Sequence, residues 1–233
     1  MTLRSSETRW VIAIDGPAGA GKSTVSRRLA EALNYRYIDT GAMYRVIGVL
    51  AAEQGIDCSD SAALKALCDQ TDIEFVERDG RISTYANRRD LSVAIRTPAA
   101  AQQASKVSAA PVVRECLVAK QRAMGRGGNV VMEGRDIGTV VFPDAPVKVY
   151  LDASPEERAR RRAHESPGDV TPAEITRIAQ EIAERDARDR GREHSPLRPA
   201  QDAVVIDSTH QTADEIVARL YALVKTRMAE LAS

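Results

Sequence analysis

Apolar positions along the chain follow two rhythms. Short apolar runs occur at Val11 to Ile14, Val130 to Met132, Val147 to Leu151 and Ala203 to Ile206, the length of strands buried on both faces. Between them, apolar residues recur at helical spacing. Val25, Leu29, Ala32 and Leu33 mark a helix over Ser23 to Leu33, and similar patterns cover Ala42 to Gln54, Ser59 to Cys68, Pro172 to Arg190 and Thr212 to Ala229. The stretch Thr97 to Met124 is interrupted by Pro111 and predicts two helices rather than one rod. Ser154-Pro155-Glu156-Glu157 opens a further helix, with proline in its first turn. One segment breaks the pattern: Ile73 to Glu77 and Arg81 to Tyr85 alternate around Arg78-Asp79-Gly80, predicting a hairpin over residues 72 to 86.

Strands alternating with helices predict an α/β fold, a doubly wound parallel sheet flanked by helices, with the hairpin as a small inserted sheet. Ligands of such sheets sit beyond the carboxyl ends of the strands. A length of 233 residues allows one large domain or a core with insertions. Lys and Arg number 33 and Asp and Glu also 33, so no global field exists to hold nucleic acid or an anionic membrane. Aromatic residues at 4% leave few platforms for stacking bases. No apolar run reaches the ~20 residues that span a bilayer, and Met1 to Gly16 lacks the pattern of a signal peptide, so a cytoplasmic protein is expected. Residues 1 to 8 read as a loose tail. Cys58, Cys68 and Cys116 have no metal-site spacing and read as free thiols, as His164, His194 and His210 read as ordinary histidines. Of the 33 basic residues 27 are Arg, which fits either a compositional bias or a need to grip phosphate bidentately.

Position favours the second. Gly16-Pro17-Ala18-Gly19-Ala20-Gly21-Lys22-Ser23 matches GxxxxGK[ST] between a strand and a helix, where backbone N–H groups and the helix N-terminus can cradle phosphate. Lys22 then reaches the terminal phosphates, Thr24 extends the cradle, and the Ser23 hydroxyl can ligate Mg²⁺. DxxG and NKxD, expected of a guanine-nucleotide switch, are absent from the sequence. Asp39-Thr40-Gly41-Ala42-Met43-Tyr44-Arg45 places Thr40, Tyr44 and Arg45 about one helical turn apart, able to face one ligand, although a simple helix cap with a surface arginine would look the same. Glu133-Gly134-Arg135-Asp136 follows an apolar strand; Glu133 is a candidate acid for holding Mg²⁺ through water, with Asp152 as its rival, while Arg135 beside Asp136 also fits a surface ion pair. Arg158, Arg160, Arg161 and Arg162 start one helix, and Arg185, Arg188, Arg190 and Arg192 end another. These are either solvated faces or, joined by the loop His164 to Val170, a flap.

IDGPAGAGKST, IDTGAMYR, EGRDIGTVVFPDAPVKVYLDAS and ERDARDR resemble, in order and spacing, the bacterial cytidylate kinases of the nucleoside monophosphate kinase group, over about residues 9 to 228. The resemblance implies an ATP-binding core (9–62, 103–153 and 191–233), a monophosphate-binding insert (63–102) and a helical lid (154–190). It implies that Thr40, Arg45, Arg135 and Arg192 grip the acceptor's phosphate, that Ser105, Arg114 and Asp136 read cytosine, and that Arg185 and Asp189 hold the ribose. Arg158 and Arg162 match lid arginines that approach ATP, and Lys22, Arg135, Arg192 and Arg162 become the candidates for catalysis. The family usually carries Asp where this chain has Glu133. The activity implied is Mg²⁺- and ATP-dependent phosphorylation of CMP and dCMP by a monomer that binds small nucleotides and neither nucleic acid nor membrane. A kinase for another base and a regulatory NTP-binding switch are the alternatives.

Overall fold

The computed structural model describes residues 10–78, 80–164 and 170–232. The expected tail at residues 1 to 8, Asp79 of the hairpin turn and residues 165–169 of the loop between the arginine helices lie outside the described residues. The chain divides into two compact units, residues 38–123 forming one and the flanking segments the other.

In the flanking unit, β1 (Val11–Asp15) pairs in parallel with β6 (Val130–Gly134) on one side and with β7 (Val147–Asp152) on the other. β8 (Val204–Asp207) extends the sheet beyond β7, and β2 (Arg36–Asp39) forms the opposite edge, giving the order β2-β6-β1-β7-β8. The three central strands are buried along nearly their whole length, which is why they read as continuous apolar runs. Helices α1 (Lys22–Leu33) and α8 (Ala213–Ala232) pack together, with Val25 and Leu29 of one and Ile216, Leu220 and Val224 of the other in a core shared with Ile12, Ile14, Val149 and Leu151. A separate small core of Ala159, Ala163, Ile178 and Ile182 joins α6 (Pro155–His164) to α7 (Pro172–Arg190). Between β6 and β7 the chain makes a π-helical turn over Ile137–Val141.

The other unit is built on α2 (Thr40–Glu53), packed against α4 (Pro98–Val107), with α3 (Ser61–Gln70) and α5 (Pro111–Gly125) alongside them in sequence. The expected hairpin is present: β3 (Ile73–Arg78) and β4 (Arg81–Ala86) pair antiparallel, and a two-residue strand, β5 (Arg89–Asp90), adds to its edge. Thr97 caps α4 by accepting from the Ala100 N–H at 3.1 Å, with Pro98 in the first turn, and the break between the two helices of this region falls after Val107, with Pro111 opening α5. The fold is thus the α/β architecture expected, a five-stranded parallel sheet flanked by helices with a small antiparallel sheet in an insertion.

Candidate active site

The phosphate-binding motif lies at the carboxyl end of β1. The chain leaves the strand at Gly16, whose φ of +148° is paired with a backbone approach so close that a Cβ would stand 1.9 Å from the Leu151 carbonyl oxygen; no other residue fits. Lys22 begins α1 and is buried, its Nζ donating to the Pro17 carbonyl at 2.6 Å. Burial, helped by the positive charges of Arg135 and Arg185 and opposed by Glu133 and Asp15, pushes the Lys22 ammonium down to about 7. A phosphate at the loop would add negative charge beside Lys22 and favour its ammonium form. Ser23 and Thr24 are exposed at the start of the helix.

Two arginines of α6 reach this loop. Arg158 donates to the Ala18 carbonyl at 3.2 Å and to the Ala153 carbonyl at 3.1 Å, and forms a buried ion pair with Asp186 of α7 at 2.5 Å. Arg161 donates to Ser208 at both its hydroxyl and its carbonyl, at 2.9 and 2.6 Å, and Ser208 in turn donates to the Ala20 carbonyl at 3.1 Å. Arg162 is exposed on the same helix.

Asp189 near the end of α7 is almost wholly buried and is shared by two arginines: Arg135 Nε at 3.0 Å and Arg192, which is in direct ion-pair contact with its other oxygen. Arg135 is therefore no surface partner of its neighbour Asp136, which is itself buried at the end of β6. Arg185 is half-buried one turn before Asp189, and Arg188 and Arg190 face outward. Glu133 is buried and accepts a hydrogen bond from the Tyr37 hydroxyl. Its rival Asp152 accepts from the Ala153 N–H at 2.8 Å and so caps its own turn.

In the other unit, Asp39 caps α2 by accepting from the Ala42 N–H at 3.0 Å and pairs with Arg45 at 2.6 Å. Thr40, the first residue of α2, is buried. The Arg114 guanidinium stands over the Tyr44 ring, 5.5 Å from its centroid, and both Arg114 and Ser105 are buried on α5 and α4. Thr40, Tyr44, Arg45, Ser105 and Arg114 thus belong to one unit, and Lys22, Arg135, Asp136, Arg158, Arg185, Asp189 and Arg192 to the other.

The family model described as cytidylate kinase matches residues 12–226. The chain belongs to the cytidylate kinase family. Curated cytidylate kinases of Syntrophotalea carbinolica and Geobacter sulfurreducens are each 48% identical over 93% of this chain, covering 92% and 93% of their own lengths. That of Geobacillus thermodenitrificans is 47% identical over 95% of this chain and 99% of its own. A solved shikimate kinase from Bacteroides thetaiotaomicron, 14% identical, superposes over 94% of this chain and 99% of its own at a TM-score of 0.49. Membership of a kinase family implies a nucleotide phosphoryl donor and small nucleotide substrates. No described helix is long and apolar enough to cross a membrane.

Against this family background, four residues stand out that the motifs alone did not mark as functional. Asp15 at the end of β1 accepts from the Ile137 and Gly138 N–H groups, both at 2.8 Å; burial pushes its carboxyl up to about 7 despite these two bonds. Asp186, Asp39 and Tyr37 each hold a neighbouring site residue in place: Arg158, Arg45 and Glu133. A signal existed for Asp15, since an acid closing a buried strand singled out Glu133 and Asp152 as well. The other three depend on pairings that local sequence does not encode.

Proposed function

We propose that this member of the cytidylate kinase family transfers the γ-phosphoryl group of ATP directly to CMP and dCMP, giving the diphosphates, with UMP as a weak acceptor. The observation that carries the reading is the family match across residues 12–226, with the phosphate loop and the arginine groups as its chemical support. A nucleoside monophosphate is ionised near neutral pH, its second pKa being about 6, so its attacking oxygen needs no general base. ATP and acceptor together bring about six negative charges into one site, and the requirement is neutralisation and in-line positioning.

Lys22 answers part of that need at the donor's terminal phosphates, and its depressed ammonium is one that phosphate would restore. Thr40, Tyr44, Arg45, Arg135 and Arg192 are assigned to the acceptor's phosphate end, with Asp189 orienting Arg135 and Arg192 as well as meeting the ribose beside Arg185. Ser105, Arg114 and Asp136 are assigned to cytosine: its exocyclic amine suits the carboxylate, and its carbonyl suits the guanidinium. Arg158 and Arg162 are assigned to the donor side of the lid. Ser23 offers an exposed hydroxyl and Glu133 a buried carboxylate, oxygen donors of the kind Mg²⁺ takes, the first directly and the second through water. Bound Mg²⁺ would offset charge on the phosphates. The chain is read as an ATP-binding core (9–62, 103–153, 191–233), an acceptor-binding insert (63–102) and a helical lid (154–190) that excludes water when both substrates are bound. It is read as a cytoplasmic monomer with no nucleic-acid or membrane partner.

The test is a coupled assay of ADP release from Mg·ATP with CMP, dCMP, UMP, AMP and GMP in parallel. High turnover with CMP and dCMP, little with AMP or GMP, and loss of both in Lys22→Ala is expected. ADP release that no monophosphate raises would sink the reading and favour a nucleotide switch.

A further inference from the structure

Asp136 occupies the N-cap position of the π-helical turn Ile137–Val141, leaving β6 at φ −148° and ψ 23°. An aspartate at that position ordinarily turns its side chain onto the first N–H groups of the turn it precedes. Here it makes no such bond. The two donors it would serve, Ile137 N–H and Gly138 N–H, go instead to Asp15, each at 2.8 Å, one to each oxygen of a single carboxyl group. The cap is supplied from 122 residues away in sequence. At the other end, the turn closes on Asp136 itself, whose carbonyl accepts from Val140 and Val141 N–H at 2.8 and 3.2 Å, while the Ile137 carbonyl accepts from Phe142 N–H at 2.7 Å. The backbone on the C-terminal side of Asp136 is thereby held at both ends of the turn.

We propose that Asp15 is a positioning residue for base selection: by capping the turn in place of Asp136, it directs the Asp136 carboxyl to the acceptor's base and sets the preference for cytosine over uracil. The inference rests on the assignment of Asp136 to cytosine made above. Asp15 acts through the backbone of the two residues that follow Asp136. Asparagine at position 15 has one oxygen and one amide nitrogen, so one of the two converging N–H groups loses its acceptor and meets a donor instead. The turn must then shift, or Asp136 must bend back to cap it, and in either case the carboxyl leaves its place. Gly138 gives an independent handle on the same contact. A Cβ there would stand 3.2 Å from Lys148 Cγ, 3.3 Å from Lys148 Cδ and 3.4 Å from the Asp15 oxygen, and Lys148 is anchored by Asp202 at 2.8 and 2.9 Å. Alanine would therefore crowd the anchored Lys148 stem and shift the turn by a few tenths of an ångström relative to Asp15 without altering any charge.

The experiment measures kcat/KM for CMP and for UMP at saturating Mg·ATP in the wild type, Asp136→Asn, Asp15→Asn and Gly138→Ala, with the melting temperature of each. In Asp15→Asn the CMP to UMP ratio is expected to fall at least ~10-fold, most of it in KM for CMP, and in Gly138→Ala at least ~3-fold, both in the direction of Asp136→Asn. Lys22, Arg45, Arg135 and Arg192 are assigned to phosphates that CMP and UMP share, so a disturbance reaching the site through them lowers both substrates alike and leaves the ratio unmoved. A flattened ratio in Asp136→Asn beside an unchanged ratio in Asp15→Asn and Gly138→Ala, even with lowered melting temperatures, overturns the inference and leaves the base assignment standing. If Asp15→Asn does not fold, Gly138→Ala decides on its own. A wild type indifferent to the base, or an Asp136→Asn variant with the wild-type ratio, overturns the base assignment and this inference with it.

Discussion

Removing the Asp186 carboxylate should destabilise the protein more than any other single change in the arginine-rich helices. Arg158 and Asp186 meet at 2.5 Å with side chains 5% and 3% exposed, so the alanine variant leaves a guanidinium in the interior with, among the described residues, the Ala18 and Ala153 carbonyls as its partners. Stranding one member of a buried ion pair costs about 3–5 kcal/mol. Asp186 Oδ1 has no partner among the described residues, so the carboxylate is itself incompletely satisfied and its removal recovers part of a desolvation cost; this argues for the low end, about 3 kcal/mol. For a chain of this size each kcal/mol shifts Tm by about 2–4 °C, and Asp186→Ala should melt about 6–12 °C below the wild type. The pair Arg158→Met with Asp186→Leu takes both charges out and should regain most of that loss, because an apolar replacement needs no compensating partner. Thermal unfolding of the wild type, Arg158→Met, Asp186→Leu and the double variant closes the cycle, with Asp186→Ala measured beside them. A drop of less than ~2 °C for Asp186→Ala, or a double variant no more stable than its weaker parent, would show that the pair is not the buried, tightly coupled unit that its geometry indicates.

Burial raises the Asp15 carboxyl from 3.8 to about 7, so the folded protein keeps a proton there that the unfolded chain gives up. The stability this contributes is complete below pH ~4 and is lost as pH rises through ~7, and urea titrations should show the wild type losing up to about 4 kcal/mol relative to Asp15→Asn across that window; parallel pH curves for the two would refute it. Gly16→Ala must displace either the Leu151 carbonyl or the phosphate loop, and ATP affinity measured by calorimetry should fall at least ~100-fold; unchanged affinity would deny the close approach. Asp189→Ala releases both Arg135 and Arg192, and kcat/KM for CMP should fall by ~100-fold or more with thermal stability changed far less than in Asp186→Ala; a loss no larger than ~3-fold would mean that the arginines keep their places without it.

Elements whose signal is local were legible in the sequence. The central strands, fully buried, read as apolar runs, and the helices read from their spacing and from Pro98, Pro155 and Pro172 in their first turns. The sequence around β2 signals only the turn Asp39-Thr40-Gly41. Its Arg36-Tyr37-Ile38-Asp39 lies at the sheet edge, and with Ile38 alone buried it gives no apolar run; the helix cap that the turn suggests at Thr40 is supplied one residue earlier, by Asp39. The π-helical turn has no local signal. Ile137-Gly138-Thr139-Val140-Val141 suggests extended chain, and what holds it in a turn is the carboxyl of Asp15, far away in sequence. The site shows the same division. The phosphate loop was visible because glycine spacing records backbone shape, whereas the sharing of Asp189 by Arg135 and Arg192 is a tertiary arrangement that the run of charges on α7 could equally have left in solvent.

The carbonyl contacts of the phosphate loop have a consequence for the opposite side of each peptide plane. In a trans peptide the C=O and the following N–H point in opposite directions. With the oxygens of Pro17, Ala18 and Ala20 held by Lys22, Arg158, and Arg161 with Ser208, the N–H groups of Ala18, Gly19 and Gly21 are turned the other way. The side chains of α6 act as struts on the rear of the anion cradle, fixing the orientation of its dipoles by their oxygen ends. A change in Arg158, 140 residues beyond the loop, is therefore felt as a rotation of glycine peptide planes, and the aim of the cradle is set partly by residues that need never meet the anion it receives.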